Sequence, residues 1–193
     1  MALNNTDSDI VLWNNFRNGD TESFVSIFRN YYSYLFNYGC KITDDYTIVE
    51  DCIQELFIDL WRTKGKAEIL SLKAYFFRAY KFKLLKAIGK ADKVTGFSPE
   101  NNENNFEISH ETLLINEQEN KELAQKVSNA IQGLSARQKE IIYLKFHQNL
   151  SYEEVSEIMN INYQASRNLV YQTIKALKKI ITIQLIFVSL FHQ

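Results

Sequence analysis

Leu134-Ser135-Ala136-Arg137-Gln138, Leu150-Ser151-Tyr152-Glu153-Glu154-Val155 and Asn160-Ile161-Asn162-Tyr163-Gln164-Ala165-Ser166-Arg167-Asn168 decide the fold of this chain. Ser135 with Gln138, and Ser151 with Glu154, have the spacing of a capping box, in which each side chain satisfies the other residue's free amide at a helix start. From Ser151 the apolar residues Val155, Ile158 and Met159 recur at helical spacing. The turn Asn160-Ile161-Asn162 follows, and Asn162 is the natural N-cap of a second helix. A short turn between two capped helices predicts a helix-turn-helix.

The second helix places Ser166, Leu169, Val170, Thr173, Ile174 and Leu177 on one side and leaves Gln164, Arg167, Asn168, Tyr171, Gln172 and Lys175 on the other. Gln164, Arg167, Asn168 and Tyr171 occupy its first turns, where a recognition helix meets base edges in the major groove. Arg pairs with both acceptors of guanine, and Asn or Gln pairs with adenine. The alternative is a helical hairpin with an ordinary solvated face.

Working outward, the chain has 193 residues, 46% of them hydrophobic and 13% aromatic, enough for one large or two small cores. One proline, six glycines and the lack of any sustained alternation predict an all-α fold. The polar, acidic start is not a signal peptide. Cys40 and Cys52 do not make a disulfide framework, and a cytoplasmic location is expected.

The net charge of −1 conceals a pattern. Residues 1–61 carry ten acids and three bases, and residues 62–93 two acids and ten bases. Residues 94–120 carry six acids and no base, and residues 121–193 five acids and nine bases. Two basic segments flanking an acidic one predict two contacts with a polyanion. Helical patterning runs from about Asp9 to Lys90, breaks over about Asp92 to Ser109 with Gly96, Pro99 and several Asn, and resumes near Glu111. The expected architecture is two small helical domains, 1–91 and 119–179, joined by a flexible acidic linker, 92–118, with an apolar tail, 180–193.

Thr47 to Arg62 carries Val49, Cys52, Ile53, Leu56, Phe57, Leu60 and Trp61 on a core stripe. Asp51, Gln54, Glu55 and Ile58 form one opposite face at i, i+3, i+4 and i+7, either a protein contact or a solvated face with one stray apolar residue. In Leu72 to Lys90, Lys73, Arg78, Lys81, Lys83, Lys86 and Lys90 interleave with Tyr75, Phe76, Phe77, Tyr80 and Phe82. Bases neutralise phosphates and aromatic faces stack unpaired bases at roughly 1–3 kcal/mol each, so this helix suits opened DNA. The alternative is an amphipathic helix with core aromatics. The loop 64–71 before it is placed to border a pocket for a flipped base.

The halves together resemble an RNA polymerase sigma factor of the extracytoplasmic-function group. Gly19-Asp20, Ser23-Phe24, Ile27-Phe28, Tyr31-Tyr32 and Leu35-Phe36 are similar to its opening helices. Glu50-Asp51-Cys52-Ile53-Gln54-Glu55-Leu56-Phe57-Ile58-Asp59-Leu60-Trp61 is similar to its second conserved stretch, Lys73-Ala74-Tyr75-Phe76-Phe77 to its promoter-melting helix, and the helix-turn-helix to its fourth region. The resemblance implies docking on core RNA polymerase through Asp51, Gln54, Glu55 and Ile58. It implies contact with promoter DNA through Lys73, Arg78, Lys81 and the 64–71 loop as the strands open, and reading of a farther element through Gln164, Arg167, Asn168 and Tyr171. It also implies that the acidic linker threads the RNA-exit path. Two departures stand out. The family's basic residue followed by Asn is Lys81-Phe82 here, and its Thr-Val-Lys pattern in the recognition helix is Ala165-Ser166-Arg167.

The tail from Ile180 to Phe191 is almost wholly apolar and shorter than the roughly 20 residues that span a bilayer. It reads as an extension of the last helix packed on the chain, as an anchor for an anti-sigma factor, or as a weak membrane-surface contact. Core RNA polymerase, promoter DNA and an anti-sigma factor are the expected partners, with membrane contact expected only through the last. No cofactor, metal or catalytic residue is expected. The competing functions are a stand-alone helix-turn-helix regulator, which leaves the basic aromatic helix unexplained, and an enzyme, for which no metal-ligand spacing or phosphate loop exists.

Overall fold

The computed structural model describes the backbone of residues 5–64, 69, 71–95, 106–108 and 121–191, and side chains within 8–64, 69, 71–91, 106–108 and 127–182. Every regular element among the described residues is helical. The chain divides into two compact units, Met1–Asn102 and Glu103–Gln193.

The first unit is built from α1 (Asn5–Arg17), α2 (Thr21–Gly39), α3 (Tyr46–Thr63) and α4 (Leu72–Thr95). Gly19, at φ 99°, turns the chain between α1 and α2, in the left-handed region that costs glycine least. Asp20 then caps α2, its carboxylate accepting from the Glu22 and Ser23 amides at 3.3 and 3.0 Å. Asp45 caps α3 through the Thr47 and Ile48 amides. Ile27, Leu35 and Tyr38 of α2, Val49, Ile53 and Leu60 of α3, and Phe76, Phe77, Tyr80 and Leu84 of α4 form a core from which water is excluded. The aromatic share is unusually high. Phe57 packs on Phe28 at 4.9 Å and on Phe76 at 5.3 Å, and Tyr31 on Phe76 at 4.8 Å, all within the range of favourable ring pairs. α2 approaches α4 so closely at Gly39 that a Cβ there would meet the Tyr80 hydroxyl.

The core stripe read on α3 is buried, except that Trp61 is 45% exposed. Its indole leans on Phe24 at 5.0 Å instead of entering the core. Cys52 is buried and Cys40 half-buried; burial pushes both thiols up, which favours their protonated form.

The second unit contains α5 (Lys121–Gln132), α6 (Ala136–Ile142), a π-helical turn (Tyr143–His147), α7 (Tyr152–Met159) and α8 (Tyr163–Phe191). α8 packs against α5, α6 and α7. Both expected capping boxes are formed. Gln138 Oε1 accepts from the Ser135 amide at 3.0 Å, and Glu154 Oε2 from the Ser151 amide at 2.7 Å. The π turn ends where the Gln148 amide reaches back to the Tyr143 carbonyl at 2.9 Å. Its core includes Ile131, Leu134, Ile141, Tyr143, Leu144, Val155, Ile158 and Val170.

Two features lie outside what periodicity shows. Within the segment read as linker, Phe106 and Ile108 are buried in the second unit. α8 runs without a break from the recognition residues to Phe191, about 43 Å of helix. It therefore continues through the apolar tail, and Ile180 lies against Gly133 beyond the end of α5. The side chains from 183 onward, like loop residues 65–68 and 70, lie outside the described residues.

Candidate nucleic-acid interface

α7, its turn and the start of α8 have helix-turn-helix geometry. Asn160 ends α7 in the left-handed conformation at φ 51°, a position that Asn tolerates. Asn162 opens α8, its carboxamide oxygen accepting from the Ala165 amide at 2.7 Å. Ser166 is fully buried between the helices and donates to the Tyr152 and Tyr163 carbonyls at 3.2 and 2.8 Å. That small polar residue lets α8 lie close against α7.

This packing turns Gln164, Arg167, Asn168, Tyr171, Gln172 and Lys175 to solvent. Gln164 donates to Asn168 Oδ1 at 3.0 Å, which orients one amide by the other. The Arg167 guanidinium stands 5.8 Å from the Tyr163 ring centre, and Tyr171 is 68% exposed. The surface thus carries two cations, Arg167 and Lys175, three carboxamides, Gln164, Asn168 and Gln172, and two exposed aromatics, Tyr163 and Tyr171. Tyr163, 43% exposed and edge-on to Tyr152, was not singled out from the sequence because it precedes the first full turn.

In the first unit, Asp51, Gln54, Glu55 and Ile58 all reach solvent along α3, with Ile58 49% exposed. Ile58 is not a stray apolar residue. With Phe24 and Phe28 of α2 and Gln54, Phe57, Trp61 and Arg62 of α3 it lines an open groove of about 390 Å3. An apolar floor edged by the Gln54 amide and the Arg62 guanidinium is a surface suited to a partner helix.

α4 differs from its sequence reading. Lys81 is only 9% exposed. Helical phase places it beside Phe77, Tyr80 and Leu84 on the inner face, so little of this residue, expected at the promoter DNA, reaches solvent. Lys83 is drawn to α3, 2.6 Å from Asp59 and 3.9 Å from Glu55, and its hydrogen bond holds the Asp59 carboxyl below the ordinary range. Lys73 is half-buried with its ammonium 5.0 Å from the Tyr34 ring centre. The solvent stripe of α4 consists of Arg78, Phe82, Lys86 and Lys90, four residues apart, with Phe82 69% exposed. A phenyl ring one turn from a cation on either side is suited to stacking on a base whose phosphates those cations hold.

Among the described residues no group of side chains is arranged to hold a metal, and no helix is long and apolar enough to cross a membrane.

Residues 124–177, which contain this helix-turn-helix, match the family model for sigma-70, region 4. No curated protein matches the chain. Among solved structures, the chain is similar to the sigma factor RpoE in complex with the anti-sigma factor NepR from Bartonella quintana. The TM-score is 0.59 at 19% identity, over 84% of this chain and 99% of that one. It is also similar to CnrH in complex with the cytosolic domain of CnrY, with TM-score 0.57 at 14% identity, over 91% of this chain and 97% of that one. At these identities the likeness is one of fold.

Proposed function

We propose that this chain is a sigma factor: it binds core RNA polymerase, directs it to promoter DNA and takes part in opening the duplex. The observation that carries the reading is the sigma-70 region 4 match over a helix-turn-helix that turns Gln164, Arg167, Asn168 and Tyr171 to solvent. The fold shared with the sigma factor RpoE extends the reading to the first unit.

Each exposed surface then has a task. Asp51, Gln54, Glu55 and Ile58, with the groove behind Ile58, dock the polymerase. Arg78 and Lys73, joined by Phe82 and Lys86 in place of Lys81, hold the opened promoter. The Phe82 ring offers stacking where the family's Asn would offer hydrogen bonds. The first turns of α8 read the farther element. An anti-sigma factor is the expected inhibitor, as one is bound to RpoE in its structure. Chemistry resides in the polymerase, and the cytoplasm, where the polymerase works, is the expected location.

The test is co-purification of the full chain with core RNA polymerase from the same cell, wild type beside Asp51→Arg/Ile58→Glu. The wild type is expected to bind stoichiometrically and the variant to lose binding at an unchanged melting temperature, because both positions are exposed. A folded wild type that fails to bind would sink the reading and leave a stand-alone DNA-binding protein.

A further inference from the structure

The acidic segment between the units contains a short stretch that behaves as core. Phe106 is 0% and Ile108 2% exposed. The Phe106 ring lies 5.6 Å from Tyr143, whose ring is stacked at 4.8 Å on His147. Between the two apolar residues, Glu107 accepts from Lys139 Nζ at 2.8 Å, and that lysine of α6 is itself only 5% exposed. Gln132 at the end of α5 donates to the Ile108 carbonyl at 2.7 Å. The tripeptide is thus held by two buried side chains, one charge-assisted bond and one backbone contact, from α5, α6 and the π turn. An apolar–acid–apolar pattern meets a surface whose cation sits between two apolar seats.

We propose that this surface is a docking groove for the chain's own linker, and that Phe106-Glu107-Ile108 is a strap which shortens the length of chain between the two units. Between Thr95 and Lys121 the chain spans at most roughly 90 Å, and between Thr95 and Phe106 at most roughly 40 Å. With one unit engaged, and a linker whose reach exceeds the distance between the two sites, the local concentration of the other unit falls about as the −3/2 power of linker length, so the shorter span raises it about fourfold. The strap adds no contact with any partner; besides its part in the core of the second unit, it acts on affinity through length. Its functional consequence rests on the proposed function, in which the two units engage the same polymerase.

A Glu-specific protease tests the strap on the full chain, with a synthetic 98–112 peptide as the unstructured reference. In the folded chain, cleavage after Glu107 relative to Glu103 is expected to be slower than in the peptide by about tenfold or more, because cleavage needs local opening. Phe106→Ala/Ile108→Ser should return the ratio to that of the peptide, and Lys139→Met, which removes only the pair with Glu107, should move it toward that value. A wild-type ratio equal to the peptide's overturns the strap without recourse to any variant.

Affinity for core RNA polymerase then tests the consequence. Release of the strap should weaken it about fourfold, and a Gly/Ser insertion within 96–105 that restores the longer span should do the same with the strap intact. Released variants that bind as tightly as wild type overturn the span argument. Absence of polymerase binding by the wild type removes the proposed function, while the protease ratio still decides the strap.

Discussion

At the scale of single residues, close contacts carry sharp consequences. Gly39 lies where α2 meets α4, and an added Cβ would stand 3.0 Å from Val49 Cγ1 and against the hydroxyl of Tyr80. That hydroxyl is itself engaged, donating to the Val49 carbonyl at 3.4 Å. Gly39→Ala should cost about 1–3 kcal/mol by overpacking, and Tyr80→Phe in the same chain should recover part of it. Denaturant unfolding of the single and double variants measures both; a neutral Gly39→Ala would show that the helices separate freely. Asp9 is a second case. Its carboxylate is buried and accepts from the Tyr31 hydroxyl at 2.5 Å, yet burial still raises its pKa above the ordinary value. A folded-state pKa above the unfolded one means that ionisation opposes folding. The penalty is complete above the raised value and disappears as pH falls to the ordinary carboxylate range. Asp9→Asn should therefore be at least as stable as wild type at neutral pH, with the advantage shrinking on acidification through that window. Melting temperatures across pH check it, and an advantage that grows in acid would contradict the assignment.

At the scale of the element, the helix-turn-helix was legible because its punctuation is local. Ser135, Ser151 and Asn162 act on amides three residues away, so spacing alone identifies them. Ser151→Ala removes the bond to the Glu154 amide at 3.1 Å and should cost about 1 kcal/mol, read as a lower melting temperature of the second unit. No change would mean that packing alone holds the start of α7. The α4 helix was legible as a helix but not in its facing. Its bases and aromatics interleave, so periodicity does not separate Lys81, which faces the core, from Phe82, which faces solvent. The order of neighbours α2 and α3 around α4 makes that decision.

At the scale of the molecule, the two units have separate cores, and the boundary between them differs from the one that composition suggests. Phe106 and Ile108 belong to the second core, although they lie among Asn and Glu in a stretch without periodicity. Burying two such side chains is worth roughly 3–6 kcal/mol as an upper range. A fragment of residues 103–193 should therefore melt cooperatively and well above a fragment of residues 119–193. Circular dichroism of the two fragments decides this; equal melting temperatures would place 106–108 outside the cooperative unit.

The sequence by itself determined what is set by near neighbours: helical class, capped starts, the helix-turn-helix with its outward Gln164, Arg167, Asn168 and Tyr171, and the exposed α3 face. These follow from hydrogen bonds and periodicities spanning a few residues. The tertiary structure decided what depends on residues far apart in the chain. It joined Ile58 to Phe28 and Trp61 in one groove, took Lys81 inside, paired Lys83 with Asp59, and seated Glu107 on Lys139, 32 positions away. Burial and charge pairing depend on which elements become neighbours, and that is settled only when the cores close.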